Sequence, residues 1–102
     1  MNLNRPKHKV VMVWWVDPTA MNEEIDDSTI VSPANVHTYG ELVYEDKYMV
    51  NILSERFPVD ESGRHKTCIP KSNIVKIYTL DIKECILDRT DTLKHFLKEG
   101  NH

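Results

Sequence analysis

The run from Lys9 to Pro18, KVVMVWWVDP, constrains the fold more than any other stretch of the chain. It holds seven consecutive apolar residues, Val10 to Val16, with two adjacent tryptophans among them. The run is too short for a typical helix and is rich in β-branched and aromatic side chains, which predicts a strand buried on both faces. Because neighbouring residues of a strand point to opposite faces, Trp14 and Trp15 cannot enter the same core. One of the two tryptophans must therefore be shielded from water by something other than the core that holds its neighbour.

Composition limits the kinds of partner. The chain has 102 residues, which predicts a single domain over residues 1–102, and its 40% hydrophobic and 28% charged residues are ordinary for a folded protein. With 13 basic and 16 acidic residues the net charge is −3. Proteins that bind nucleic acids usually carry a basic excess, since phosphate contacts dominate that affinity. We therefore expect no extended DNA as a partner and consider RNA a poor fit, whereas a local basic pocket for a small anion remains compatible.

The N-terminus and the cysteines indicate the compartment. The first residues, MNLNRPKHK, lack the apolar core of a signal peptide, and the seven-residue apolar run is too short to cross a membrane. The sequence therefore predicts a cytoplasmic protein with no membrane partner. In that reducing setting Cys68 and Cys85 are expected to be free thiols.

Four further stretches have strand character, and they lie at residues 36–45, 47–55, 64–69 and 74–80. Gly40 interrupts the first of these, as glycines do at a bulge or sharp bend. An acidic loop, residues 58–63, precedes the third. Pro70 ends that strand, and Ser72 and Asn73 favour a tight turn directly before the last one. A strand, one 3₁₀-like turn and another strand are typical of a corner in a small barrel.

Two helices are predicted outside these strands. Asp17 and Pro18 can start a short helix over residues 18–26. The i, i+3, i+4 spacing of apolar residues after Leu80 predicts a C-terminal helix over about 90–99, although residues 82–87 alone could instead form a sixth strand.

Together these elements predict a mainly β fold: a small, five-stranded, strongly bent antiparallel barrel over residues 9–80, with a C-terminal helical extension over residues 81–102. Trp15 is expected inside the barrel with Val11 and Val13. The outer face of the first strand then carries Val10, Met12, Trp14 and Val16. Either the terminal helix, through Leu93, Phe96 and Leu97, or another subunit of a homo-oligomer could cover this face, since bare apolar patches are rare.

The candidate ligand site is a cluster of cations around the corner, namely Arg64, His65, Lys66 and Lys71. Beside the aromatic side chains of Trp14, Tyr39 and Tyr78, these cations could hold a small, anionic, stacking ligand such as a nucleotide. Other chemistry is less well supported. His65 and Cys68 form a single close ligand pair where zinc sites normally show two. Cys68 is more easily placed as a small core residue than as a nucleophile, so we expect no metal, no cofactor and no enzymatic activity.

The order V-x-V-x-W-x-D, then YGELVYEDKYMVNI, then IPKSNIVKIYTL is similar to small uncharacterised proteins common in bacteriophage genomes. Over residues 10–80 it also resembles the general plan of Sm-like and Src-homology-type barrels. The first resemblance implies a non-enzymatic accessory protein of host takeover or anti-defence, which captures or inhibits a host protein or a small nucleotide signal. The second implies, as an alternative, an Sm-like RNA-binding ring, although the chain lacks the glycine-aspartate signature of such rings.

Overall fold

The computed structural model describes residues 6–18 and 26–92, in which five antiparallel strands form one sheet. The order across the sheet is β4-β3-β2-β1-β5. The strands are β1 (Val10–Asp17), β2 (Ala34–Glu45), β3 (Met49–Phe57), β4 (Ser62–Pro70) and β5 (Ile74–Leu80). The mainly β prediction and all five predicted strands are confirmed, with ends that differ by up to two residues.

β1 lies between β2 and β5, and its two faces differ as the alternating pattern predicts. Val11 and Val13 are fully buried, and Trp15 packs against the same cluster. The other buried members come from β3 and β4: Val50, Ile52 and Ile69. The indole N–H of Trp15 donates a 2.9 Å hydrogen bond to the Thr38 hydroxyl, which satisfies the one polar group of this side chain.

β2 bends at Gly40 and serves two neighbours in succession. Its residues 34–41 pair with β1, whereas residues 41–45 pair with β3. Gly40 has a φ of 156°, a backbone conformation that residues other than glycine rarely adopt. The register irregularity of β2 lies slightly further along, between Leu42 and Tyr44, and the change of partner divides the sheet into a β2-β1-β5 half and a β2-β3-β4 half.

The corner between β4 and β5 is a single 3₁₀ turn, Lys71–Asn73, as the sequence predicts. The turn is held from two sides of the sheet. The Lys71 amide donates to the Tyr48 carbonyl at 2.7 Å, and the Asn73 side-chain amide donates to the Val16 carbonyl at 3.0 Å. Since Val16 ends the apolar run of β1, the corner brings the beginning of β5 against the end of β1.

The prediction of a closed barrel is wrong for the part of the chain that the structure describes. β4 and β5 leave the same corner but form no hydrogen-bonded ladder with each other, so the sheet remains open between them. The physical reason lies in the sequence of β4. Residues 64–66 are Arg-His-Lys and are exposed, so closing β4 against β5 would gain little apolar burial and would remove charged groups from water.

The predicted helices are not supported. Residues 19–25 and 93–102 lie outside the described residues, and Pro18 and Asp26, at the ends of the first prediction, are not helical. The described part of the C-terminal prediction is a 3₁₀ turn at Thr90–Thr92. Residues 81–89 form neither helix nor strand, so the sixth strand is also wrong, and Ile86 is 94% exposed. Among the described residues, no helix has the length and apolarity needed to span a membrane.

Candidate functional site

The outer face of the β2-β1-β5 half carries a group of ring-bearing and cationic side chains, which we call the aromatic face. It consists of Met12, Trp14, His37, Tyr39, Lys76 and Tyr78. The pairing register places these residues in two rows across three strands. One row is Tyr39–Met12–Tyr78 and the other is His37–Trp14–Lys76. Alternation along each strand keeps all of them on the side opposite the core.

Trp14, the tryptophan that faces away from the core, lies at the centre of this face. Trp14 is partly buried, and its indole N–H donates a 3.0 Å hydrogen bond to the Asn35 side-chain oxygen. The His37 ring meets it edge-on, with centroids 5.9 Å apart and planes at 80°. Two side chains of β2 thus shield the indole of Trp14.

Two exposed tyrosines flank Met12 in the other row. Tyr39 is 57% exposed and Tyr78 is 45% exposed, although both are large aromatic residues within a sheet. They lie on the two strands next to β1, so their backbones are about 10 Å apart. The Lys76 ammonium is 5.9 Å from the centre of the Tyr78 ring, a cation–π distance. The face therefore offers ring surfaces for stacking and a cation beside them.

The cations that the sequence proposed as ligand contacts lie elsewhere. Arg64, His65 and Lys66 lie on β4, at the opposite edge of the sheet from β5, and Lys71 lies in the corner. The structure thus brings Trp14, Tyr39 and Tyr78 together on one face and does not bring the four cations to it.

Acidic side chains from neighbouring strands pair with three of these four cations. Glu55 accepts from the Arg64 guanidinium at 2.9 Å and lies 3.2 Å from His65 Nε2. Lys71 pairs with Glu45 at 2.8 Å. The hydrogen bond from Arg64 holds the pKa of the Glu55 carboxyl below its ordinary value. No acidic residue follows Glu61 closely in the sequence. The acidic partners come instead from other strands, and the local sequence gives no signal for such cross-strand pairs.

Lys76 and His37 are the cationic and titratable groups that the sequence reasoning missed on the aromatic face. A signal for Lys76 was present, since it stands two residues before Tyr78 in a strand and must share its face. Among the described residues Lys76 forms no ion pair.

A polar cleft of about 220 Å³ lies on the β2-β3-β4 half, and Lys66 is one of its lining residues. Arg56, which also lines the cleft, forms an ion pair with Glu41. Glu41, only 7% exposed, accepts from Arg56 Nε at 3.2 Å and Nη2 at 3.1 Å, and also from the His8 amide at 3.3 Å. Burial alone would raise the pKa of the Glu41 carboxyl, but the hydrogen bonds and charge of Arg56 outweigh it and lower the pKa. Arg56 Nη1 also donates to the Glu61 carbonyl at 2.8 Å, and the His8 amide bond to Glu41 ties the residues before β1 to this pair.

The two cysteines are free, as predicted, but Cys68 is not the small core residue that we expected. Ile69 occupies the core position, so alternation turns the neighbouring Cys68 outward, where its sulfur lies 3.3 Å from Met49 Sδ. His65 and Cys68 do not converge with other ligands: within residues 6–18 and 26–92 there is no cluster of three His, Cys, Asp or Glu side chains that could hold a metal ion.

Of the predicted interface residues, the structure describes those on β1 but not those of the terminal helix. Val10, Met12 and Val16 are partly buried on the outer face of β1, together with Trp14. The residues expected to cover them from the terminal helix, Leu93, Phe96 and Leu97, lie outside the described residues.

Comparison with models of protein families, with curated proteins and with solved structures found no match to this chain. Its function must therefore be argued from the geometry of its own surface.

Proposed function

We propose that this chain is a non-enzymatic binding module that captures a small anionic ligand with a flat ring, such as a nucleotide, on the aromatic face. The observation that carries the proposal is the exposure of Tyr39 and Tyr78 in one cross-strand row, next to Trp14 and Lys76. Stacking on exposed aromatic rings stabilises the binding of any nucleobase, because every base has a π face. The ammonium of Lys76, already close to the Tyr78 ring, is placed to meet a phosphate of the same ligand.

The charge distribution favours a small ligand over extended nucleic acid. The chain has a net charge of −3, and Arg64, His65 and Lys71 are paired with carboxylates. Lys76 is therefore the main fixed positive charge of the aromatic face. One or two charges suit a mononucleotide or a cyclic dinucleotide, whereas RNA binding draws on several phosphate contacts.

The biological role follows from the resemblance to phage-encoded proteins and is part of the same proposal. A module that holds a host nucleotide signal would lower the free concentration of that signal without chemical change. A host protein is the alternative captured component, but the Lys76 ammonium beside the Tyr78 ring combines a cation and a stacking surface, which match the phosphate and the base of a nucleotide. We therefore favour the nucleotide.

Isothermal titration calorimetry with AMP, ATP and cyclic di-AMP tests the proposal. We expect at least one of these probes to bind, and Tyr78→Ala to weaken that binding roughly 5- to 150-fold, because one lost base–aromatic stack costs about 1–3 kcal/mol. Tyr48→Ala is the matched control. Tyr48 is also an exposed tyrosine with a lysine over its ring, Lys47 at 5.3 Å, but it lies in the β2–β3 turn. Its replacement should leave the affinity unchanged.

Two outcomes would contradict this function. Absence of binding by all three nucleotides at millimolar concentration would remove the nucleotide and leave a protein partner as the better hypothesis. Tight binding of a 12-nucleotide RNA with a steep salt dependence would instead support the Sm-like RNA-binding alternative, because the slope reports the number of phosphates contacted.

A further inference from the structure

The open sheet has two edge strands, β4 and β5, whose outer sides have no neighbouring strand in the described chain. An edge strand presents a row of backbone N–H and C=O groups that can pair with another strand. Proteins prevent such pairing with proline, with charged side chains or with irregular backbone at the edge. The two edges of this sheet differ in how much of this protection they carry.

The β4 edge is protected. Pro70 lacks an amide donor, and Arg64 and Lys66 place charges along the strand. His65 has a φ of 61°, which interrupts the extended backbone in the middle of the charged segment. A strand that tried to pair with β4 would meet an incomplete hydrogen-bonding row and cations that must stay hydrated.

The β5 edge is less protected: it has one charge, Lys76, and one register irregularity against β1, at Val75. Its sequence, IVKIYTL, contains no proline or glycine and a single charge, and it consists mainly of β-branched and aromatic residues. Both faces of the strand are exposed near this edge: Ile77 pairs with Val13 on the core side and is 40% exposed, while Tyr78 on the opposite side is 45% exposed. Residues 76–80 of β5 are in regular register with β1, and a largely apolar edge segment of this kind is a template for further pairing.

We propose that the β5 edge pairs with β5 of a second copy of this chain, antiparallel and about a two-fold axis at Ile77. In this register Lys76 lies opposite Tyr78 and Ile77 opposite Ile77 of the second copy, and these residues belong to the part of β5 that is in regular register with β1, residues 76–80. The self-pairing contains no like charges in opposition, because the only charge of the strand faces an aromatic ring. The Lys76 ammonium already lies 5.9 Å from the Tyr78 ring of its own chain, so it is placed to contact the ring of the second copy as well.

Pairing of β5 with β4 of a second copy is disfavoured by the same observations. It would bring Lys76 alongside the cationic segment of β4, and Pro70 would leave one hydrogen bond of the ladder unmade. A symmetric β5–β5 contact is also closed, so it yields a dimer and not a filament. Since a two-fold axis perpendicular to the sheet keeps equivalent faces on one side, the aromatic faces of the two copies would adjoin.

Disulfide trapping tests this register. In a Cys68→Ser, Cys85→Ser background, Ile77→Cys places two thiols opposite each other, with Cβ atoms about 5 Å apart. The matched control is Val75→Cys, which lies on the same strand and is comparably exposed at 46% against 40%. The two copies of residue 75 are displaced by four residues along the strands, about 13 Å. Mild oxidation is expected to produce a covalent dimer from the residue 77 variant at least ten times faster than from the residue 75 variant.

Sedimentation velocity of the unmodified chain makes the test independent of whether these variants fold. We expect the mass to rise from one chain to two between micromolar and several hundred micromolar protein. A single-chain mass over the whole range would overturn the proposal. Equal trapping of the two cysteine variants would also overturn it, because it would indicate random collision or another register.

Discussion

Gly40 is the position at which a single methyl group should disturb the fold most. Its φ of 156° is unfavourable for any residue with a side chain. A Cβ at this position would also stand 2.4 Å from the Leu53 carbonyl oxygen and 2.8 Å from Ile52 Cγ2. The first of these atoms belongs to the backbone of β3, so it cannot move away without disturbing the β2–β3 pairing.

The expected cost of Gly40→Ala has two parts. Holding alanine in a sparsely populated backbone conformation costs about 1–3 kcal/mol. Forcing an extra methyl group into a packed site costs about another 1–3 kcal/mol. The sum, roughly 2–6 kcal/mol, is a large part of the about 5–15 kcal/mol that stabilises a typical domain. We expect either a large drop in the urea midpoint or a chain that no longer folds cooperatively.

Gly63→Ala is the comparison that isolates the backbone contribution. A Cβ there would also be crowded, 2.5 Å from Leu53 Cδ2 and 2.7 Å from the Glu55 carbonyl oxygen, but φ of Gly63 is not positive. Urea titrations monitored by tryptophan fluorescence should therefore show Gly40→Ala to be the more destabilised of the two by about 1–3 kcal/mol. A free energy of unfolding for Gly40→Ala within about 0.5 kcal/mol of the parent, or a larger loss for Gly63→Ala, would refute this reasoning.

Two further predictions concern the two halves of the sheet. Because the pKa of Glu41 in the folded chain lies below its ordinary value of 4.5, the pair with Arg56 contributes stability above that pH and loses it as the pH falls through the folded pKa. Glu41→Gln should lower the free energy of unfolding at pH 7 and flatten its decline between pH 6 and pH 3; urea titrations in which the variant declines as steeply as the parent would contradict the role of this pair. In the core, Ile52→Ala should cost about 2–5 kcal/mol, since Ile52 is fully buried. Val75→Ala, at an exposed position, should stay within about 0.5 kcal/mol in the same assay, and equal losses at the two sites would show that the core is misplaced.

Local signals in the sequence were sufficient for the strands and their connections. Alternation set Trp15 inward and Trp14 outward, Gly40 marked the bend, and Pro70 with Asn73 marked the corner, because each depends on residues close together in the chain. The outward Trp14, Tyr39 and Tyr78 were predicted as parts of one site, and the structure places them on one face.

Features that depend on distant residues were not predictable in this way. The corner at residues 71–73 suggested that β4 and β5 pair and close a barrel. Whether they pair also depends on the hydration of residues 64–66, which the corner does not reveal. The pairing of Arg64 with Glu55 and of Lys71 with Glu45 depends on the register between strands, which the sequence does not display. For the same reason the cation of the aromatic face, Lys76, was overlooked in favour of the more conspicuous cluster on β4.

The most direct test of the central claim uses the two tryptophans as internal reporters. Trp14 and Trp15 each carry one indole N–H, bonded to Asn35 on the aromatic face and to Thr38 on the core side, respectively. In ¹H–¹⁵N spectra, with assignments from Trp14→Phe and Trp15→Phe, titration with the nucleotide that binds best should shift the Trp14 indole resonance and leave that of Trp15 in place. A titration that shifts neither indole, or only that of Trp15, would contradict binding at the aromatic face.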